Sequence, residues 1–310
     1  MADAVTTTTQ VDPAVGLFYE RTLLQENRPE YVFNEFAQQF NLPSKGGTTI
    51  KMRRYSRYSS ATTPLTEGIT PNGHKMAKTD LLATVSQYGD FMTITDVVDL
   101  TVEDPVMTVE VDLQADQIMN TRDQLTRDVL ANNASSTTCS NGTGTATLLN
   151  DTDMKAVRQT LRSSDAKTLT ALQQGTDKQG TSPVRASYWG IFDADLENDL
   201  EKVSGFKLTS AYSTQGTTHV SEYGQAAGIR CLTTTQGYVS SGTYSNPIIA
   251  QNAYGVVKLD GGSASSIIKG FGSSGTSDPL DQRGSVGWKM WHVARILNDV
   301  NIHVLKCTNA

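Results

Sequence analysis

Long apolar runs are missing from this 310-residue chain, and no stretch approaches the roughly 18 apolar residues of a membrane span. Cysteine is scarce: Cys139, Cys231 and Cys307 are odd in number and far apart, so neither a disulfide framework nor a zinc site is implied, and isolated reduced thiols are expected. The four histidines, His74, His219, His292 and His303, stand in unrelated contexts. None belongs to an HExxH pair or adjoins a nucleophile motif, which argues against metal and triad chemistry. Basic charge is in deficit. Twenty-six Lys and Arg against 32 Asp and Glu give a net charge of −6, so nothing draws the chain to phosphate, although enclosing DNA does not require gripping it. The opening MADAVTTTTQ has no basic region followed by an apolar run, so the chain is expected to be made and kept in the cytosol without membrane attachment.

What is present supports a core, since 37% of the residues are apolar and the length suffices for two or three structural regions. The longest periodic stretch is 104–133. Met107, Val111, Ala115, Ile118, Leu125 and Val129 recur at steps of three, four or seven, interrupted by Arg122. Asp104 suits the N-cap, Pro105 the first helical position, and Asn132 with Asn133 the stop. At 1.5 Å per residue this predicts a rod of roughly 40 Å with one apolar face to pack.

Upstream, residues 1–12 read as a polar arm, and Leu17, Leu24, Tyr31, Val32, Phe33 and Phe36 suggest one or two short amphipathic helices broken near Pro29. Residues 48–96 read as two long strands, TTIKMRRYSRY and LLATVSQYGDFMTIT, the second bulged at Gly89. Between them, 59–80 holds Pro64, Gly68, Pro71 and Gly73 but almost no large apolar side chain. Such a segment cannot bury itself, and a connection of that length without a core is usually functional or unstructured.

Downstream the pattern turns mixed α/β. Met154, Val157 and Leu161 mark a helix, SYWGIFD a strand, and Leu196, Leu200 and Val203 another helix. GIRCLTTT and PIIAQNAYGVVKL read as buried strands, while SVGWKMWHVARIL and NDVNIHVLKC read as a hairpin turning at Asn298 and Asp299. No motif commits the chain to catalysis. GFGSSG (270–275) fits a dinucleotide fingerprint in letters only, because Asp278 and Pro279 follow where a helix should open. Asp193, Asp195, Glu197 and Asp199 imitate a calcium loop but lack its glycine and final glutamate, so they read as helix caps. Lys51, Arg53, Arg54 and Arg57 form a dense basic patch at the root of the coreless segment, suited to acidic side chains of another protein.

Four blocks, ATTPLTEGITP (61–71), TVSQYGDFMTITDVVDLT (84–101), LTRDVLANN (125–133) and DPLDQRGSVGWKMWHVARILND (278–299), resemble the major capsid proteins of tailed bacteriophages, specifically the coat-protein family of N-four-like podoviruses. The resemblance implies an α+β chain with the Hong Kong ninety-seven-type capsid fold. Its parts would be an N-terminal arm with short helices (1–47), an extended E-loop hairpin (48–96), a peripheral domain (97–140 and 256–310) with a spine helix (104–133), and an axial domain (141–255). It implies a shell of hexamers and pentamers around double-stranded DNA, a portal, a separate scaffolding protein, in some heads a decoration protein, and no cofactor, metal or catalytic residue. An encapsulin-like compartment of the same fold is the alternative. Arg53, Arg54, Arg57, Leu65, Glu67 and Ile69 are the residues expected to meet a neighbouring subunit.

Overall fold

The computed structural model describes residues 27–101, 105–140, 145–170, 185–212, 218–260, 262, 264–273 and 278–309. β1 (Gln38–Leu42) precedes the paired strands β2 (Thr49–Tyr55) and β3 (Lys78–Thr84), then β4 (Ser86–Thr95), α1 (Asp96–Thr101) and the long α2 (Val106–Asn133). β5 (Ser136–Thr138), α3 (Asp151–Ser163), β6 (Tyr188–Asp193) and α4 (Glu197–Lys202) follow, with β7 (Lys207–Leu208), β8 (Glu222–Ala226), β9 (Ile229–Thr234) and β10 (Tyr238–Ser240) after them. The series closes with β11 (Thr243–Ile249), β12 (Tyr254–Leu259), β13 (Ser265–Lys269), β14 (Arg283–Ile296) and β15 (Ile302–Cys307).

Among the described residues these strands make two sheets and a separate hairpin. The smaller sheet has the order β1-β12-β14-β13, with β4 on the other side of β14; the larger runs β5-β15-β11-β6-β9-β8-β7, with β10 on β11. β2 and β3 pair only with each other. β15 therefore sits inside the larger sheet while its sequence neighbour β14 anchors the smaller one, so the two parts interleave along the chain.

The larger sheet is covered on one face by α3, whose Met154, Val157 and Leu161 are buried with Tyr188, Phe192, Ile229 and Leu305. Spacing of three and four puts those side chains on one stripe, and Asn150 starts the helix by accepting from the Asp153 N–H at 2.8 Å. A second core joins Val32, Phe33, Leu130, Ile191, Ile249 and Tyr254, and so fastens the N-terminal segment and the end of α2 to both sheets. Each such aliphatic or aromatic side chain contributes roughly 1.5–3 kcal/mol on burial.

α2 comes close to the expected rod, 28 residues or about 42 Å, but it starts at Val106 with Pro105 at its N-cap rather than in its first turn, the expected cap Asp104 lies outside the described residues, and the helix packs on a different face from the one its apolar pattern marks. Its buried residues are Gln114, Asp123, Thr126, Leu130 and Ala131, whereas Met107, Val111, Ile118, Leu125 and Val129 are half-buried and Ala115 is exposed. Hydrogen bonds explain the rotation. Gln114 Nε2 donates to the Val286 carbonyl at 2.9 Å, Trp288 Nε1 donates to Gln117 at 2.8 Å, and Thr126 Oγ1 lies 3.2 Å from His292 Nε2. Buried polar groups with partners are stable, and these partners set the helix register on β14.

The short helices expected before residue 37 fall partly outside the described residues, and the described part is not helical. Turns at 33–36 lead into β1. Groups that a helix would pair internally are met from elsewhere: the Tyr254 hydroxyl donates to the Phe33 carbonyl at 2.6 Å, and Asp123 Oδ1 accepts from the Asn34 N–H at 3.1 Å. No bulge occurs at Gly89, which pairs in unbroken register with Lys289; a Cβ there would lie 2.6 Å from the Trp288 carbonyl oxygen. The strand instead breaks at Val85.

The run 247–259 is not one strand. It breaks at Gln251 and Asn252, the latter at φ 57°, and passes from the larger sheet to the smaller. The expected hairpin at Asn298 and Asp299 is likewise a crossing, because β14 and β15 pair with different sheets. The two crossings bind each other: Ala250 N–H donates to the Asn301 carbonyl at 2.8 Å and Leu297 N–H to the Ala253 carbonyl at 2.9 Å.

Cys139, Cys231 and Cys307 are free and buried in the core under α3. Sequence distance hides that Cys139 follows Thr138, the partner of Lys306, so that it stands beside Cys307 in parallel strands. Burial pushes all three thiols up, Cys307 to about 12. A maleimide should therefore label none of them in the native protein and all of them in denaturant, read by intact mass. Stoichiometric labelling of the folded chain would contradict this burial.

Candidate assembly interface

The projecting part of the molecule is the β2–β3 hairpin. Its root is apolar and fixed: Ile50 and Met52 pack with Ala83, Val85, Leu42 and Val257 beneath Trp291 and Val293. Alternation along β2 turns Lys51 and Arg53 to the other side, where Asp80 on β3 accepts from both at 2.8 Å. Those two bonds, Arg53 first, pull the Asp80 carboxyl down to about 2.

Beyond Tyr55 the strands separate. The Ser56 N–H still donates to the Ala77 carbonyl at 2.9 Å, and Tyr58 and His74 lie 5.9 Å apart, but every residue from 53 to 80 is exposed. At the tip Thr66–Ile69 forms a turn, in which the Ile69 N–H donates to the Thr66 carbonyl at 3.2 Å and Gly68 takes φ 77°. Only glycine adopts that angle without strain, and the third position of a type II turn requires it. Glu67 is left at the apex. Leu65 and Ile69 flank it, 77% and 65% exposed, with Met76 equally bare at 67%.

The sequence-derived contact residues are thus split by the structure. Arg53 is held by Asp80, a counterion 27 residues away that the basic pattern alone did not reveal, although the β2–β3 register would place it there. Arg54 Nη1 donates to the Leu297 carbonyl at 3.5 Å and to the Asn298 side chain, so it ties the hairpin to the crossing between the sheets. Arg57 bonds Asp165 at 3.0 Å with both side chains more than four-fifths exposed, a pair worth about 0–1 kcal/mol. Glu67 and Ile69 lie in one turn with Leu65 just before it, and none of the three touches anything in its own subunit that would bury it.

The other candidate chemistries have structural accounts. Asp193 accepts from the Asp195 N–H at 3.0 Å and so caps the turn leading into α4. Among the described residues no group of three His, Cys, Asp or Glu side chains is placed to hold a metal. The described part of GFGSSG is a turn closed by the Ser273 N–H on the Gly270 carbonyl at 3.2 Å, and turns again follow at 278–281 rather than a helix; its last two residues lie outside the described part. No helix among the described residues is long and apolar enough to cross a membrane.

No family model and no curated protein matches the sequence. Solved structures do match, over the whole chain. The head structure of Helicobacter pylori bacteriophage KHP40 aligns with a TM-score of 0.69 at 11% identity, covering 99% of this chain and 99% of that one. The capsid structure of cyanophage P-SCSP1u aligns at 0.68 and 13% identity over 100% and 97%. The holo-SrpI encapsulin complex of Synechococcus elongatus PCC 7942 aligns more loosely, at 0.55 and 7% identity over 99% and 96%. With α2 as the rod, β2–β3 as the projecting hairpin and the two sheets on either side of the strand crossings, this chain has the Hong Kong ninety-seven-type fold of phage capsid subunits.

Proposed function

We propose that this chain is the major capsid protein of a tailed bacteriophage, many copies of which assemble in hexamers and pentamers into an icosahedral head around double-stranded DNA. The observation that carries the reading is end-to-end likeness to phage head subunits, covering 99% of this chain and 99% of the matched one. The role is structural. Residues 1–47 serve as the N-terminal arm, 48–96 as the E-loop, 97–140 and 256–310 as the peripheral domain and 141–255 as the axial domain. A portal, a separate scaffolding protein and, in some heads, a decoration protein complete the particle, which is built in the host cytoplasm and ends in the virion. The net charge of −6 suits a wall that encloses DNA without binding it tightly.

A cargo compartment is the second reading, favoured by the encapsulin likeness and weakened by its lower TM-score. Electron microscopy of the purified chain, followed by nuclease treatment of particles from phage lysate, separates the possibilities. Closed shells of uniform size that protect DNA and carry one portal vertex are the expected result. Protein that stays monomeric under all assembly conditions would sink both readings, and shells filled with an enzyme would favour the compartment.

A further inference from the structure

The larger sheet has two faces, and α3 covers one of them. Tyr244, Leu305 and Cys307 turn toward that helix and its core, so the residues next to them along each strand turn the other way. Register then sets Tyr238 on β10, Ser245 on β11, Lys306 on β15 and Thr138 on β5 in one transverse row across four strands. Ser240 and Thr243 pair with each other two residues away and share that face.

The row floors a pocket of about 360 Å³, closed at one end by Ala131 and Asn132 of α2 and by Ala146. Lys306 is the one charged residue of its lining. Among the described residues no carboxylate pairs with Lys306, and the hydroxyls of Ser245, Thr138, Ser240 and Thr243 have no hydrogen-bond partner. Ser245 is 7% exposed, so its hydroxyl opens only into the pocket. Asp128, one turn before Asn132, is held by Arg127 at 2.8 Å, and the Arg127 guanidinium lies 5.7 Å from the Tyr238 ring. The acid nearest in sequence to the pocket's helical wall is thus already neutralised, and a second cation stands at the pocket's Tyr238 end.

An ammonium ringed by hydroxyls offers donors from several directions at once. Its complement is a compact oxyanion with several acceptor oxygens, and a phosphate group has that shape and charge. The opposing influence is the C-terminal end of α2, which places roughly half a negative charge near Asn132 and Asn133. Lys306 carries a full charge, and among the described residues none of the last α2 carbonyls accepts a hydrogen bond from it. The helix end attracts the ammonium without neutralising it.

We propose that this pocket binds a phosphate group, with Lys306 as the cation and Ser245, Thr138 and Thr243 as hydroxyl donors. The site goes beyond the shell reading and does not depend on it, because every group that forms it belongs to one subunit. Free phosphate and the phosphodiester of a nucleic acid present the same chemistry, and the pocket has room for a phosphate with a substituent.

The test titrates the full-length, unassembled chain into inorganic phosphate and follows the phosphorus NMR line. Saturable broadening is expected, with a rise in melting temperature in phosphate that chloride at equal ionic strength does not produce. Lys306→Met should weaken binding about tenfold and Ser245→Ala about fivefold, whereas Lys306→Arg keeps it. Should Lys306→Met fail to fold, Thr138→Val and Thr243→Val, on the less buried part of the pocket, should each weaken binding in its place. Displacement of phosphate by a short duplex oligonucleotide would assign the site to a phosphodiester, and phosphate binding that the oligonucleotide leaves unchanged would assign it to the free ion. Absence of saturable binding, or binding that survives Lys306→Met in a folded chain, overturns the proposal. So does a Lys306→Met chain that loses the same stability in chloride as in phosphate, since Lys306 would then serve the helix dipole alone.

Discussion

Replacing Ser59–Met76 by Asn-Gly should abolish shells while leaving the subunit folded, with a melting temperature within about 2 °C of wild type. The variant keeps the Ser56–Ala77 hydrogen bond and the whole apolar root around Ile50, Met52 and Val85. What it removes is entirely exposed, so almost no burial is lost within the subunit. Shortening the loop from about 22 residues to about six also relieves roughly 1 kcal/mol of closure entropy, which offsets small losses such as the Tyr58–His74 contact. In a shell the same segment carries Leu65, Ile69 and Met76, each able to contribute roughly 1.5–3 kcal/mol before ordering costs, and every subunit repeats the contact. Differential scanning fluorimetry with sedimentation velocity reads both effects. Normal shells, or a chain that no longer unfolds cooperatively, would show that the loop has been assigned the wrong job.

Changing Asp123 to Asn should leave stability rising with pH between about 4 and 6.5, where the wild type is expected to be nearly flat. Asp123 is fully buried, and its Oδ1 accepts from the Asn34 N–H and Nδ2, each at 3.1 Å, while Oδ2 has no protein partner. Burial pushes the carboxyl from 3.8 to about 6, against the pull of the Asn34, Phe33 and Val32 donors. A folded value above the unfolded one means that its contribution is fully present below pH 3.8 and is lost as the pH rises through about 6. His292 works in the opposite sense. Burial, followed by Arg122 and Lys258, pushes its imidazole from 6.5 down to about 4, so the neutral ring stabilises above pH 6.5 and that contribution is lost as the pH falls through 4. Between these limits the two slopes oppose each other. The amide substitution deletes the first slope and leaves the second, so the variant should gain stability relative to wild type at pH 8, by on the order of 2 kcal/mol, and lose that advantage by pH 4. Urea denaturation at pH 4, 6 and 8 reads the difference; parallel profiles for the two proteins would refute the assignment.

Local chemistry made several elements legible. The coreless loop could be recognised because Pro64, Gly68, Pro71 and Gly73 oppose regular structure and nothing around them can be buried; α3 could be recognised because Met154, Val157 and Leu161 fit one helical stripe. The misread features depend on partners far along the chain. Asp123 and Thr126 look like solvated positions of a helix until Asn34, 89 and 92 residues earlier, supplies their hydrogen bonds. Asn298 and Asp299 have good turn chemistry, yet β14 is claimed by β12, β13 and β4, and β15 by β11 and β5. The sites were half visible. Leu65, Glu67 and Ile69 stood out by composition, but Tyr238, Ser245, Lys306 and Thr138 form a row only once β10, β11, β15 and β5 have paired.

The central place of β14 also orders events in time. β4, β13 and most of β12 find their sheet partner in a strand that is synthesised after all of them, and the Tyr254 hydroxyl reaches a carbonyl 221 residues earlier in sequence. Until β14 is available, Ile94, Val256 and Ile267 belong to strands with open edges, so the nascent chain presents sticky segments for as long as translation of the intervening region takes. Pairing over such separations is intrinsically slow. Closure of both sheets therefore waits on the last strands made, β14 for the smaller and β15 for the larger, and lower expression temperature and lower chain concentration are expected to raise the yield of soluble chain by favouring that closure over aggregation.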